Sequence, residues 1–293
     1  PPASSLGPLI PPSNIMIILG GFASLSVGAL FMGGFVPGFL ICVGFIIYIL
    51  IRCYRHPELA PIVPVDERPS LKEKLVATSG VALPILLVLA VLGGIWTGVT
   101  TAIEGAGVGA FGAMICAILK HKLNFKTLRE AVTGTLKAST MVMWLLIGGS
   151  CYAAFMSASG MSAYLGKLLM GLPIPPMGII GVLLFIVLLM GMFIDSVAII
   201  MITVPIFFPI VNALNFDPIW FGVIYTIAIV IGYITPPFGY NLFYMRAIIP
   251  QEVSTKVIYN SVIPYIPIMV IVMVICMLFP KLVLVLPQWF IGG

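Results

Sequence analysis

One carboxylate stands inside a long apolar run. Asp195 lies in GMFIDS (191–196), within a stretch that is otherwise almost continuously hydrophobic from 176 to 213. A charged side chain in such surroundings is costly and tends to mark an ion or substrate path. The alternative is a cap that accepts backbone N–H bonds at a helix start. Further on, GYITPPFGYN (232–241) sets two adjacent prolines, two glycines and an asparagine between the apolar runs FGVIYTIAIVI and LFYMRAII. Pro236 and Pro237 carry no amide hydrogen and prevent a continuous helix. The carbonyls they free need partners where there is no water. A cation satisfies carbonyls, and a helix N-terminus favours an anionic group. This chemistry is that of an ion and substrate site. Thr235, Gly239 and Asn241 offer a hydroxyl, an unhindered carbonyl and an amide there. A proline kink compensated by neighbouring helices is the bland alternative, and Ser and Asn also serve as turn formers.

The elements that must position these groups are membrane helices. Of the 293 residues, 61% are hydrophobic and 8% charged, against about 25% charged in a soluble domain, and mean hydropathy is +1.22. The fold class is therefore all-α and polytopic, with no room for a large soluble domain. Spans are expected at about 28–51, 76–98, 104–120, 140–156 and 257–279, with a half-length piece at 14–22. The segment 121–139 is amphipathic and cationic and reads as lying along the membrane surface. The region 176–213 reads either as two full spans with a tight turn or as a re-entrant hairpin with its tip at mid-membrane. Arg52, Arg55, Arg68, Lys72 and Lys74, and then Lys120, Lys122, Lys126, Arg129 and Lys137, place both of their loops in the cytoplasm. The net charge of +5 thus reflects positive-inside loops rather than nucleic-acid binding. The opening PPASSLGPLI has neither an initiator Met nor the charged start of a signal peptide, and the chain reads as beginning inside a longer protein.

An internal repeat strengthens the reading. SLGPLIPPS (5–13) and VIGYITPPF (230–238) share a glycine, an apolar pair and Pro-Pro, and each precedes an apolar half-span. SVGALFMGGFVPGFL (26–40) resembles STKVIYNSVIPYIPI (254–268). The charge pattern runs span 28–51 inward and span 257–279 outward, so the copies are inverted. Secondary transporters use that arrangement to place substrate and ions at the repeat interface. Ser4, Ser5, Ser13 and Asn14 are the first break's equivalents of the second.

The stretches LGPLIPPS, GGIWTGVTTAIEGAGVGA, GMFIDSVAIIMITVPIFFPIV and DPIWFGVIYTIAIVIGYITPPFGYNLF resemble the large permease subunit of tripartite ATP-independent periplasmic (TRAP) transporters over nearly the whole chain. By this resemblance the sequence would start after the family's first hairpin and its preceding helices. TTAIE (100–104) stands where the family reads closer to T-P-T-E, and Ser196 follows Asp195 where proline is frequent. The resemblance implies an elevator-type fold. Its transport domain would take 1–25 and 158–250, with the hairpin at 176–213 and the discontinuous helix at 217–249. Scaffold helices would take 26–75, 76–157 and 251–293, with the amphipathic arm in the second of these and an external tail in the last. It implies a sodium-coupled carrier of an organic acid anion, such as a C4-dicarboxylate or sialic acid, in a bacterial inner membrane. Its partners would be a small membrane subunit and a periplasmic substrate-binding protein, with Na⁺ as coupling ion and no other cofactor. Candidate sodium ligands are then Asp195, Ser196, Thr235, Pro236, Gly239, Asn241, Ser4, Ser5 and Ser13. Candidate substrate contacts are Asn14, Asn241, Pro237 and Arg246, though Arg246 also suits lipid-headgroup anchoring. The alternatives are a sodium–carboxylate symporter of related fold that works without a binding protein, and a non-transporting membrane assembly subunit.

Other residues carry less. Glu104, preceded by Thr97, Thr100 and Thr101, reads chiefly as a helix cap. His56 and His121 read as unpaired, and no hydrolase, metalloprotease or P-loop motif occurs, so enzymatic and ATP-driven readings have no chemistry here. Trp144, Trp220 and Trp289 suit interfacial anchoring. Cys42, Cys53, Cys116, Cys151 and Cys276 are scattered and read as packed thiols.

Overall fold

The computed structural model describes residues 2–60, 70–237, 239, 241, 242, 245 and 254–291, which form helices and no strand. The chain divides into two compact units, Pro1–Val43 with Ala138–Gly293, and Gly44–Lys137. Among the described residues, five stretches are long and apolar enough to cross a membrane: Val27–Arg55, Ala102–Leu119, Phe125–Ala158, Ser196–Ala213 and Lys256–Leu278.

In the second unit, α3 (Leu71–Trp96) packs on α4 (Ala102–Leu119). Each begins with a reciprocal capping box, Ser70 with Glu73 and Thr101 with Glu104, which satisfies two orphan amides at each helix start. Glu104 Oε2 accepts from the Thr101 amide at 2.7 Å. His56 differs from its sequence reading, because its Nδ1 lies 2.9 Å from Glu58 Oε1 across the turn at Pro57. That pair is exposed and contributes little to stability.

The division between the units falls within the residue ranges of two long helices, α2 (Val27–Arg55) and α5 (Phe125–Ala158). α5 is helical from Phe125 to Ala158, through the cationic stretch and the apolar stretch that follows it. No proline interrupts 125–158, and its scattered glycines cost only about 1 kcal/mol each. At about 51 Å it is longer than the roughly 30 Å hydrocarbon core.

The first unit is built around α9 (Pro218–Ile234), which is buried at every residue from Trp220 to Ile234. A helix apolar on all sides belongs in an interior. Packed on it are α1 (Asn14–Ala23), α7 (Pro176–Gly191), α8 (Ser196–Ala213), α11 (Tyr265–Leu278) and α12 (Lys281–Ile291). The 3₁₀ turn Ala3–Leu6 also meets α9. Asp217 starts α9 by accepting from the amides of Ile219 (2.8 Å) and Trp220 (3.0 Å), and Pro218 occupies the first helical position, where no amide is missed. The 3₁₀ turn and α1 both reach α9, so the first break packs against the helix that leads into the second.

Several sequence readings change here. Trp220 is not an interfacial anchor: it is 1% exposed, and its indole N–H donates to the Cys276 carbonyl at 2.8 Å. Trp144 and Trp289 are exposed on the protein surface. After α5 comes a short helix, α6 (Met161–Met170), and the expected external tail contains the helix α12. The repeat's prolines also behave differently, since Pro37 lies inside α2 whereas Pro264 separates α10 (Thr255–Val262) from α11. All five cysteines are free; Cys276 is buried, but Cys151 is exposed rather than packed.

Candidate functional site

The hairpin of α7 and α8 turns at Met192–Asp195. Asp195 is the N-cap of α8, its Oδ2 accepting the Val197 amide at 2.9 Å. A second element holds the same tip. The Tyr233 hydroxyl, in the last turn of α9, accepts the Ser196 amide and donates to Asp195 Oδ1 at 3.4 Å. The tip therefore lies level with the end of α9, immediately before the second break. Tyr225, two turns earlier, makes a parallel link from its hydroxyl to Thr203 Oγ1 at 2.8 Å.

At the second break, Thr235 ends α9 and donates its hydroxyl to the Ile231 carbonyl at 2.6 Å. With its proton so committed, the oxygen keeps lone pairs for a cation. Pro236 is half-buried and Pro237 exposed, and the Pro237 carbonyl accepts from the Tyr259 hydroxyl at 2.8 Å. Gly239 is buried at φ +55°, a backbone conformation that favours glycine. Asn241 is half-buried, and Arg246 lies outside the described residues.

At the first break, Ser13 is the N-cap of α1. Its oxygen accepts from the Met16 amide at 3.2 Å and its proton goes to the Pro8 carbonyl. Ser5 is fully buried, donating to the Pro2 carbonyl at 2.6 Å with Met269 Sδ at 3.9 Å. Ser4 and Asn14 are exposed. The Pro11–Pro12 and Pro236–Pro237 bonds are both cis.

One open cleft of about 560 Å³ brings part of this set together. Asn14, Ile15, Ile17 and Ile18 of α1 line one side, Asp195, Ser196 and Val197 of α8 another, and residues of α5 from Ala138 to Leu145 the third. The N-termini of α1 and α8 both open onto it, and their first-turn amides favour negative charge. The described lining holds one carboxylate, Asp195, and no Lys, Arg or His. Its described lining includes no residue of the second break; Tyr233, in the last turn of α9 just before Thr235, bonds to the tip. Ser4, Ser5 and Ser13 are not in the lining either.

Sequence reasoning missed Tyr233 and the α5 wall. The signal for the first was a hydroxyl two residues before Thr-Pro-Pro, at the end of an apolar helix. The α5 wall gave none, because Ser139, Met141 and Val142 look like any span.

A sequence model described as "Tripartite ATP-independent periplasmic transporter, DctM component" matches residues 1–282. The C4-dicarboxylate TRAP transporter large permease protein DctM of Pseudomonas aeruginosa is 30% identical over 98% of this chain and 66% of its own length. The sialic acid TRAP transporter large permease protein SiaM of Vibrio cholerae is 26% identical over the same shares. The ectoine/5-hydroxyectoine TRAP transporter large permease protein UehC of Ruegeria pomeroyi is 32% identical over 97% of this chain and 65% of its own length. The chain thus spans just under two thirds of the length of these relatives.

Proposed function

Since this chain belongs to the DctM family of tripartite ATP-independent periplasmic transporters, we propose that it is the core of a large permease subunit that imports an organic acid anion together with Na⁺. It is a multi-pass inner-membrane protein. A periplasmic binding protein would hand over the solute, and a small membrane subunit would complete the permease. The relatives' names carry a C4-dicarboxylate, sialic acid and ectoine at comparable identities, and a carboxylate is the group these solutes share.

One observation carries the sodium part of this reading. The cleft sets Asp195 among helix N-termini and has no basic side chain in its described lining. An anion entering alone would face like charge at short range in a medium of low dielectric. A cation at Asp195 removes that repulsion, so solute and cation bind better together than apart. Na⁺ suits the available ligands, which are carboxylate, hydroxyl and carbonyl oxygens.

Reconstitution of the full-length protein with its small subunit tests this. The binding protein, loaded with a labelled C4-dicarboxylate, sialic acid or ectoine, is supplied outside the vesicles. Uptake is expected to require both the binding protein and an inward Na⁺ gradient. Uptake of free solute without the binding protein would identify an autonomous symporter instead. Absence of uptake with every solute and gradient would point to a non-transporting subunit.

A further inference from the structure

We propose that Tyr233 is the positioning residue through which cation occupancy at Asp195 is coupled to the second helix break; the inference rests on the sodium reading above. A phenol has one proton to give and lone pairs to accept with. The Tyr233 oxygen takes the Ser196 amide, a first-turn donor that α8 cannot satisfy itself. Its proton is directed to Asp195 Oδ1 at 3.4 Å, while Oδ2 is held by the Val197 amide at 2.9 Å. Of the two carboxylate oxygens, one is therefore oriented by its own helix and the other by α9.

Through Tyr233, the direction in which Asp195 points depends on where the last turn of α9 sits. That turn runs straight into Thr235, whose hydroxyl closes onto Ile231, and then into Pro236. A cation that draws Asp195 into the cleft pulls on the same hydroxyl that ends at the break. The break need not line the cleft to respond to it. Ser196 is buried and Asp195 half-buried, so little water competes for these bonds.

Tyr225 supplies the control. It joins the same two helices by the same kind of bond, but its partner Thr203 is uncharged and lies two turns from the tip.

The experiment follows the thermal unfolding midpoint of the purified full-length protein as NaCl replaces choline chloride at constant ionic strength. The wild-type midpoint rises with Na⁺. Tyr233→Phe requires about tenfold more Na⁺ for the same rise, as expected from loss of a hydrogen bond to a charged group. Tyr225→Phe lowers the midpoint without Na⁺ and leaves the half-saturating Na⁺ concentration where it was. An unchanged half-saturating concentration in Tyr233→Phe overturns the inference alone. A wild-type protein indifferent to Na⁺ overturns the sodium reading and the inference with it. Should Tyr233→Phe not fold, amide exchange of the wild type decides. Na⁺ is expected to protect peptides spanning 192–200 and 228–237 together, and protection confined to 192–200 overturns the coupling.

Discussion

Gly191 at the end of α7 and Gly232 in the last turn of α9 meet backbone to backbone. A Cβ on Gly232 would lie 2.7 Å from the Gly191 Cα and 2.7 Å from the Leu188 carbonyl oxygen. In a membrane, helices associate through close packing of small residues rather than by expulsion of water. This contact seats the hairpin next to the tip. Gly232→Ala is therefore expected to lower stability by about 1–3 kcal/mol, measured by thermal or denaturant unfolding in detergent. Gly148→Ala, where a new Cβ meets nothing within 4 Å, is expected to be neutral or mildly stabilising. Equal effects would mean that α7 is free to move away from α9.

Asp195 caps α8 and faces the cleft, and two substitutions separate these roles. Asparagine caps a helix about as well as aspartate, whereas alanine gives up about 0.5–2 kcal/mol. Asp195→Asn should keep the unfolding midpoint measured without Na⁺ and lose its response to Na⁺. Asp195→Ala should lose both. A normal sodium response in Asp195→Asn would leave the residue as a cap only.

The reciprocal boxes at Ser70–Glu73 and Thr101–Glu104 lead to a different expectation for acids at helix starts. Glu104→Gln retains both halves of its box and should leave stability and uptake unchanged, while Glu104→Ala lowers the unfolding midpoint without abolishing uptake. Loss of uptake in Glu104→Gln would show a role beyond capping. The backbone amide of Ser70, and then its hydroxyl, hold the Glu73 carboxyl below its ordinary 4.5. Its contribution is therefore complete above that value and disappears as pH falls through the lowered one. A pH titration of α3 helicity in a Glu73→Gln variant should lack that acidic step.

The tryptophans provide a spectroscopic test of the packing. Trp144 and Trp289 are 71% and 79% exposed, and Trp220 is 1% exposed. Quenchers in the lipid or the water should reach the first two and spare Trp220. Strong quenching of Trp220 would contradict a central, enclosed α9.

Much of this architecture was legible in the sequence because it rests on strong signals. Asp195 is conspicuous in an apolar run, and the two Pro-Pro pairs forbid continuous helix whatever surrounds them. Asn14 was found through the repeat. Tyr233 was not, because a tyrosine in an apolar helix that already holds Trp220, Phe221 and Tyr225 looks like packing until its partner across the bundle is known. Trp220 misled for a related reason: a tryptophan near a helix start suits an interface, and only the Cys276 carbonyl shows that it faces inward. The continuity of α5 was hidden by its change from cationic to apolar composition, which alters the helix's surroundings but not its backbone.

The central claim is that Asn14 and Asp195 face one cleft that receives the solute carboxylate and its cation. A structure determined with bound solute and Na⁺ tests it most directly. The account predicts solute density between the start of α1 and the hairpin tip, with the cation on the Asp195 carboxylate. Solute held elsewhere, with Asp195 bonded only to Val197 and Tyr233, would contradict it.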